Sequence, residues 1–147
     1  MLGPQDSRRL TLAELAEGDW IAFDVVLSEE IVLAFAGLTG DHSPIHVDPQ
    51  YARTIGLPGC VVHGMLAASF LSTIVGMFLP GRRSLLVSQK VDFVAPIPVG
   101  VTVSVSARLV QVSEAARAVT LQFRVFHGGL VAVKGSATVR VREIDPC

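Results

Sequence analysis

Two short segments of the chain concentrate the side chains that could do chemistry. The first spans residues 39–49 (TGDHSPIHVDP) and the second spans residues 63–65 (HGM). In the first, Asp41 and His46 place a carboxylate and an imidazole five residues apart, with Pro44 stiffening the chain between them. Such a geometry can aim both side chains at one small volume, and a carboxylate with an imidazole is suited to general acid–base chemistry. The structural alternative is that Asp41 caps a helix end and His46 fills a gap in the core.

Other kinds of site receive less support from the residues. Zinc requires three or four suitably spaced ligands, and Pro44 prevents a regular helix from aligning His42 with His46, so no metal ligand is assigned. The chain lacks a Gly-x-Ser-x-Gly elbow, a dinucleotide fingerprint and a phosphate loop. Cys60 has apolar neighbours and no adjacent cation, which is typical of an inert thiol rather than a nucleophile.

The elements that carry these segments can be read from the first part of the chain. Residues 20–27 form a β-branched and aromatic stretch that predicts a strand. Ser28 is placed to cap a helix that Gly40 ends, and residues 41–47 are predicted as a loop. Asp48 and proline after it predict the start of a short helix to about residue 54. A long apolar helix is expected from residues 63–64 to residues 80–81.

The last third of the chain changes to the period of two that is typical of half-buried strands. Strands are predicted over residues 85–93, 101–109, 119–125 and 130–141, and His127 is expected to be a residue at a strand end. Gly128 and Gly129 suit a two-residue hairpin turn. Together these patterns predict an α+β fold in which the apolar face of an antiparallel sheet wraps the long helix.

Composition narrows the class of protein. The 147 residues are expected to form one domain, with its core over about residues 10–142. Twelve Lys and Arg against thirteen Asp and Glu give a net charge of −1, so no nucleic-acid partner is expected. Half of the residues are hydrophobic and only 17% are charged, which indicates that a second copy covers apolar surface. Two distant cysteines and the absence of a basic, apolar leader predict a cytoplasmic protein.

One uncharged stretch, residues 54–81, requires comparison with a membrane span. Gly56, Pro58, Gly59 and Gly64 interrupt its first third, and what remains is shorter than the roughly 20 residues that a spanning helix needs. The sequence therefore predicts a buried helix and no membrane partner.

Four stretches together resemble the MaoC-like family, specifically the (R)-specific enoyl-CoA hydratases. They are residues 35–41 (FAGLTGD), the P-x-H-x-D of residues 44–48, and residues 62–66 (VHGML) with the LPG of residues 79–81. The resemblance covers about residues 10–141 and is ungapped over residues 35–81. It implies the hot-dog fold, a long central helix wrapped by an antiparallel sheet.

The resemblance also implies an activity and a set of residues. The reaction is reversible syn hydration of a trans-2-enoyl thioester to the (R)-3-hydroxyacyl thioester, with no cofactor. Asp41 and His46 match the catalytic pair, and Gly64 matches the glycine whose N–H binds the thioester oxygen. Ser72 and His63 are grouped with Gly64 as predicted oxyanion- or substrate-binding residues. Ser72 matches a serine near the active site, and His63 is interpreted chiefly as an anchor of the turn before Gly64, with a catalytic acid as the alternative. The family usually has asparagine where this chain has Ser43.

Several alternatives stay open at the level of sequence. Hot-dog domains also host acyl-CoA thioesterases and non-catalytic subunits that bind acyl thioesters, because a fold does not fix a function. The thiol carrier of the substrate is either CoA or acyl carrier protein. The depth of the acyl pocket depends on how Leu66, Ser69, Phe70 and Met77 pack. A homodimer or a higher homo-oligomer is expected.

Overall fold

A single antiparallel sheet of five strands forms one layer of the protein. The computed structural model describes residues 6–143, so Cys147 and the first five residues, where no leader is predicted, lie outside the described part. The strands are β1 (Trp20–Val26), β2 (Ser84–Phe93), β3 (Thr102–Ser113), β4 (Ala118–His127) and β5 (Leu130–Val141). Their order across the sheet is β1-β3-β4-β5-β2, which leaves β1 and β2 at the edges.

The helices lie between the first two strands of the chain. They are α1 (Glu29–Thr39), α2 (Pro44–Val47), α3 (Pro49–Thr54) and α4 (Gly64–Thr73), after an initial 3₁₀ turn at Leu12–Glu14. Helix α4 packs its buried residues against the apolar face of the sheet, where β3 and β4 alternate between buried and more exposed residues. This central helix and its wrapping sheet confirm the predicted α+β architecture and the hot-dog fold.

The predicted helix caps are present. The Ser28 hydroxyl accepts a hydrogen bond from the Ile31 N–H at 3.4 Å, and Gly40 ends α1 with a φ of +78°. The carboxylate of Asp48 accepts hydrogen bonds from the first N–H groups of α3. Each cap forms within a few residues of chain, which is why the local sequence indicates it.

Two helical details differ from the sequence predictions. The predicted loop over residues 41–47 contains the single-turn helix α2, because proline at its first position is preorganised for a helix. The long helix changes after Thr73 into a π segment, Ile74–Phe78. Its carbonyls find partners elsewhere: Ser7 Oγ donates to the Gly76 carbonyl at 2.6 Å and Ser84 Oγ donates to the Val75 carbonyl at 3.0 Å.

The uncharged stretch begins at the last residue of α3 and forms α4 and the π segment, as internal parts of the fold. Within residues 6–143, no helix combines the length and the apolar character that crossing a membrane requires.

The hairpin between β4 and β5 turns at Gly128 and Gly129, whose φ values are +57° and +79°. Two consecutive positive φ values are the signature of a type I′ turn, which matches the twist of the flanking strands. The glycine pair in the sequence therefore predicts this hairpin for the correct physical reason.

Gly135 in β5 offers a test of how closely the strands approach. A Cβ built at this position would overlap the Lys90 carbonyl oxygen of β2 and lie 2.9 Å from the Phe123 ring of β4. We expect Gly135→Ala to lower the free energy of unfolding by about 2–3 kcal/mol, the cost of overpacking a core. Urea denaturation followed by circular dichroism measures this loss. Gly59→Ala is the control, because a Cβ there meets nothing within 4 Å, and equal stability of the two variants would contradict the expectation.

Candidate active site

Asp41 lies in the short connection between α1 and α2, where backbone and side-chain hydrogen bonds fix its position. Its N–H donates to Thr39 Oγ1 at 3.3 Å, and its Oδ1 accepts from the Ser43 N–H at 3.2 Å. Gly40, not Asp41, ends α1, so the helix-capping alternative does not describe this carboxylate. The side chain is 53% exposed, so part of the carboxylate is open to solvent or to a ligand.

His46 lies in α2 with its ring held by the backbone. Its Nδ1 is 2.7 Å from the Val61 carbonyl oxygen. Because a carbonyl oxygen only accepts, Nδ1 carries the hydrogen, and in the neutral ring Nε2 then has the free lone pair. Within residues 6–143, Nε2 makes no hydrogen bond. The ring therefore presents a base at a defined atom rather than filling a gap in the core.

His63 connects these two residues from the other side. Its side chain is only 2% exposed, and its Nε2 lies 2.9 Å from the Asp41 carbonyl oxygen and 3.9 Å from Asp41 Oδ2. Its ring stacks on His46 with 3.8 Å between the ring centroids and 26° between the planes. The ring of Phe35 also contacts His63, with 5.1 Å between the ring centroids.

Asp41, His46 and His63 thus form a trio, with one potential ligand atom from each residue lying within 4.8 Å of the others. Nitrogen and carboxylate donors in this number are the set that a catalytic zinc ion uses. The pair that the sequence analysis weighed for a metal was His42 with His46, whereas the structure adds Asp41 and His63 and leaves His42 outside the trio.

Gly64 begins α4 directly after His63, so its N–H has no partner inside the helix. A Cβ at this position would lie 2.9 Å from the Phe93 ring, and this close approach is what only glycine permits. A cleft of about 420 Å³ opens beside Gly64. Its apolar lining is formed chiefly by Met65, Phe93, Val94, Pro96 and Ile97.

A second apolar cleft of about 300 Å³ lies along another face of α4. Leu66, Ser69 and Phe70 line it, together with Phe23 and Ile31 from β1 and α1. Three of the four residues that the sequence analysis connected with acyl-pocket depth therefore share one cleft, and Met77 is not among its lining residues.

The remaining predicted residues lie away from the trio. Ser72 is an exposed residue of α4 about 12 Å along the axis from Gly64, and in the described structure it makes no hydrogen bond with the trio, so its role in the site stays a prediction. His127 ends β4, as expected. Burial raises the pKa of the Cys60 thiol, and the charges of Asp48 and Glu29 raise it further, which agrees with an inert thiol.

Three contributors to the site have no signal in the sequence. Val61 acts through its carbonyl, which every residue possesses. Phe35 and Phe93 are apolar residues of a predicted helix and a predicted strand, and only the folded chain shows that they contact His63 and approach Gly64.

Comparisons with known proteins agree with this geometry. Residues 18–125 match the family described as the MaoC like domain. An (R)-specific enoyl-CoA hydratase of Aeromonas caviae is 39% identical over 111 residues, which cover 75% of this chain and 83% of that protein. An (R)-specific enoyl-CoA hydratase of Rhodospirillum rubrum is 34% identical over 128 residues, covering 87% and 89% of the two chains.

Among solved structures, an (R)-hydratase from A. caviae that is involved in PHA biosynthesis superimposes with a TM-score of 0.84. The two chains are 35% identical in this alignment, which covers 86% of this chain and 97% of the other. The residues matched to the family contain β1 to β3, the central helix and the segment that carries the trio.

Proposed function

The chain belongs to the MaoC-like domain family, and on this premise we propose that it is a hydro-lyase, an (R)-specific enoyl-CoA hydratase. It adds water reversibly to a trans-2-enoyl thioester and yields the (R)-3-hydroxyacyl thioester. The observation that carries the proposal is the convergence of Asp41 and His46 with His63, the residue directly before the Gly64 N–H at the start of α4.

In the proposed mechanism, Asp41 and His46 hold one water between them. His46 is held by the Val61 carbonyl so that Nε2 has the lone pair, and the Asp41 carboxylate is open on the exposed side. As the water oxygen bonds to C3 of the substrate, one of its protons passes to this pair, and the pair returns a proton to C2. Both new bonds form on one face, which accounts for syn addition.

The negative charge that develops on the thioester oxygen needs a donor already in place. The Gly64 N–H lies at the N-terminus of α4, where the helix dipole favours negative charge. The absence of a Cβ lets the thioester approach this N–H closely, in the apolar cleft beside Phe93. A preorganised donor of this kind is worth about 10²–10³ in rate.

A spectrophotometric assay tests the proposed function against the thioesterase alternative. The purified protein is mixed with crotonyl-CoA, and both the enoyl absorbance and free thiol are followed. We expect the enoyl absorbance to fall without thiol release. Thiol release at the same rate would instead identify a thioesterase, and neither change with retained thioester binding would identify a non-catalytic binding subunit. The same assay with longer enoyl-CoA substrates and with an enoyl-acyl carrier protein identifies the preferred substrate.

The proposed reaction uses no metal or other cofactor, although the trio offers the donor types that a metal would accept. The chemistry assigned to Asp41 and His46 requires their oxygen and nitrogen lone pairs for water. We therefore expect dialysis against a chelator to leave kcat unchanged, and added Zn²⁺ to inhibit by competing for these atoms. Loss of activity on dialysis, with recovery on adding one metal, would contradict the cofactor-free mechanism.

A homodimer is the proposed assembly, because β2 is an edge strand with unusual apolar exposure. Its residues are exposed along nearly the whole strand, and Val87, at an irregularity in the pairing with β5, is 56% exposed. An apolar edge of this kind is stabilised by pairing with a second copy. We expect sedimentation at micromolar concentration to give a dimer or a larger species.

The variant Val87→Lys tests whether β2 forms that interface. It should shift the protein towards the monomer, whereas Leu130→Lys, at a 75% exposed position in the hairpin, should not. A wild-type protein that sediments only as a monomer would contradict the proposed assembly. We further propose that residues 1–147 form one domain and that the protein is cytoplasmic, because of its length and its two distant cysteines.

A further inference from the structure

His63 occupies a position from which it contacts both members of the proposed acid–base pair. Its Nε2 carries a hydrogen, because the group 2.9 Å away is the Asp41 carbonyl oxygen, which only accepts. Its ring stacks on His46 with 3.8 Å between centroids. It is also the N-cap residue of α4, one residue before Gly64. One side chain therefore connects the carboxylate, the imidazole and the start of the central helix.

The burial of His63 is unfavourable in one respect. The side chain is 2% exposed, and within the described residues its Nδ1 has no hydrogen-bond partner. A buried polar atom without a partner lowers stability, and a phenylalanine ring of similar size would avoid this. Phe35 already provides an aromatic neighbour at 5.1 Å. Packing alone would favour an apolar ring here, so the imidazole contributes something that packing does not require.

We propose that His63 is a positioning residue, which holds the Asp41 backbone and the His46 ring in register with the Gly64 N–H. The inference rests on the proposed hydratase function. The hydrogen bond to the Asp41 carbonyl fixes the turn from which the carboxylate extends. The stacked His63 ring restricts the movement of the His46 ring on one face, while the Val61 carbonyl holds the His46 Nδ1. Small displacements of such groups cost large factors in rate.

Two variants separate the hydrogen bond from the packing. His63→Phe keeps an aromatic ring for stacking and loses the donor, whereas His63→Gln keeps an N–H donor and loses the ring. We expect His63→Phe to melt close to the wild-type temperature, because removing the unpartnered Nδ1 offsets the loss of the hydrogen bond to the Asp41 carbonyl. Its kcat should nevertheless fall about 10-fold or more, with KM within about twofold. We expect the kcat of His63→Gln to be several-fold higher than that of His63→Phe, although His63→Gln should melt at a lower temperature.

A spectroscopic measurement tests the same contact without using activity. The nitrogen of His42 shares a peptide group with the Asp41 carbonyl, so the His42 amide signal in a ¹H–¹⁵N spectrum reports on the hydrogen bond from His63. This signal should shift in His63→Phe and return towards the wild-type position in His63→Gln. His127→Phe and His127→Gln are matched controls, because His127 also has a buried Nδ1 without a hydrogen-bond partner among residues 6–143 but lies outside the trio.

The outcomes distinguish this inference from the proposed function. If His63→Phe keeps kcat within twofold of wild type, or if its kcat falls only together with its melting temperature, His63 is a packing residue and the inference is wrong. An unchanged His42 signal in His63→Phe leads to the same conclusion. If the wild-type protein does not hydrate enoyl-CoA at all, the proposed function is wrong, and the His42 signal still decides whether His63 positions the Asp41 turn.

Discussion

Replacing the Asp41 carboxylate with a carboxamide is expected to lower kcat for enoyl-CoA hydration by roughly 10²–10⁴, the range for a general acid–base group. The carboxamide of Asp41→Asn cannot take a proton from water. His46→Gln should cause a loss in the same range, because glutamine offers no titrating nitrogen in place of Nε2. Steady-state kinetics with crotonyl-CoA measure both effects.

Neighbouring residues of the same types provide matched controls for these two variants. Asp48→Asn keeps a good helix cap on α3, and His42→Gln alters an exposed histidine outside the trio, so both should retain kcat within about twofold. Ser43→Asn, which introduces the residue usual in the family, should change activity only modestly. Circular dichroism should show that Asp41→Asn is folded, because the side chain is 53% exposed. Near-complete activity of a folded Asp41→Asn protein would refute the catalytic assignment and favour the thioester-binding alternative.

The double variant Asp41→Asn/His46→Gln tests whether the pair acts on one water. If it does, removing either residue disables the unit, and the second substitution adds little further loss. We expect the loss of kcat in the double variant to be far smaller than the product of the two single losses. Losses that multiply would show that the two residues act in separate steps.

The second large effect is expected at Gly64. In Gly64→Ala, the new methyl group lies between the thioester and the N–H that it is proposed to approach, so kcat/KM should fall by roughly 10², as when an oxyanion donor is lost. The same methyl lies 2.9 Å from the Phe93 ring. Because Phe93 is 53% exposed, we expect its ring to rotate towards solvent and relieve this contact. Thermal denaturation should therefore show only a small change in stability.

A double variant separates the two consequences of the methyl group at residue 64. Gly64→Ala combined with Phe93→Ala removes the ring contact, and we expect it to remain as impaired as Gly64→Ala relative to Phe93→Ala alone. Gly37→Ala in α1 is the control, because a Cβ there meets nothing within 4 Å. Recovery of kcat/KM in the double variant would assign the loss to displacement of Phe93, and full activity of Gly64→Ala would contradict the proposed role of the N–H.

Local interactions explain why much of the fold could be predicted from the sequence. The alternation of β3 and β4 reflects the opposite faces of a strand, and each strand carries that pattern by itself. Ser28, Gly40 and Asp48 cap helices through hydrogen bonds or dihedral angles within a few residues. The π segment at Ile74–Phe78 was not predictable in this way, because its carbonyls are bonded by Ser7 and Ser84 from outside the helix.

The candidate site likewise has features that the local sequence determines and features that depend on tertiary contacts. The sequence by itself determined Asp41 and His46 as a pair, since five residues of proline-stiffened chain keep them close, and it placed Gly64 at the start of a helix. Only the tertiary structure decided that His63 bonds to the Asp41 carbonyl across 22 residues of chain and that Val61 orients His46 across 15. It also decided that Phe93 of an edge strand lies against Gly64. These contacts join segments whose meeting depends on how α4 packs into the sheet, and no local pattern encodes that packing.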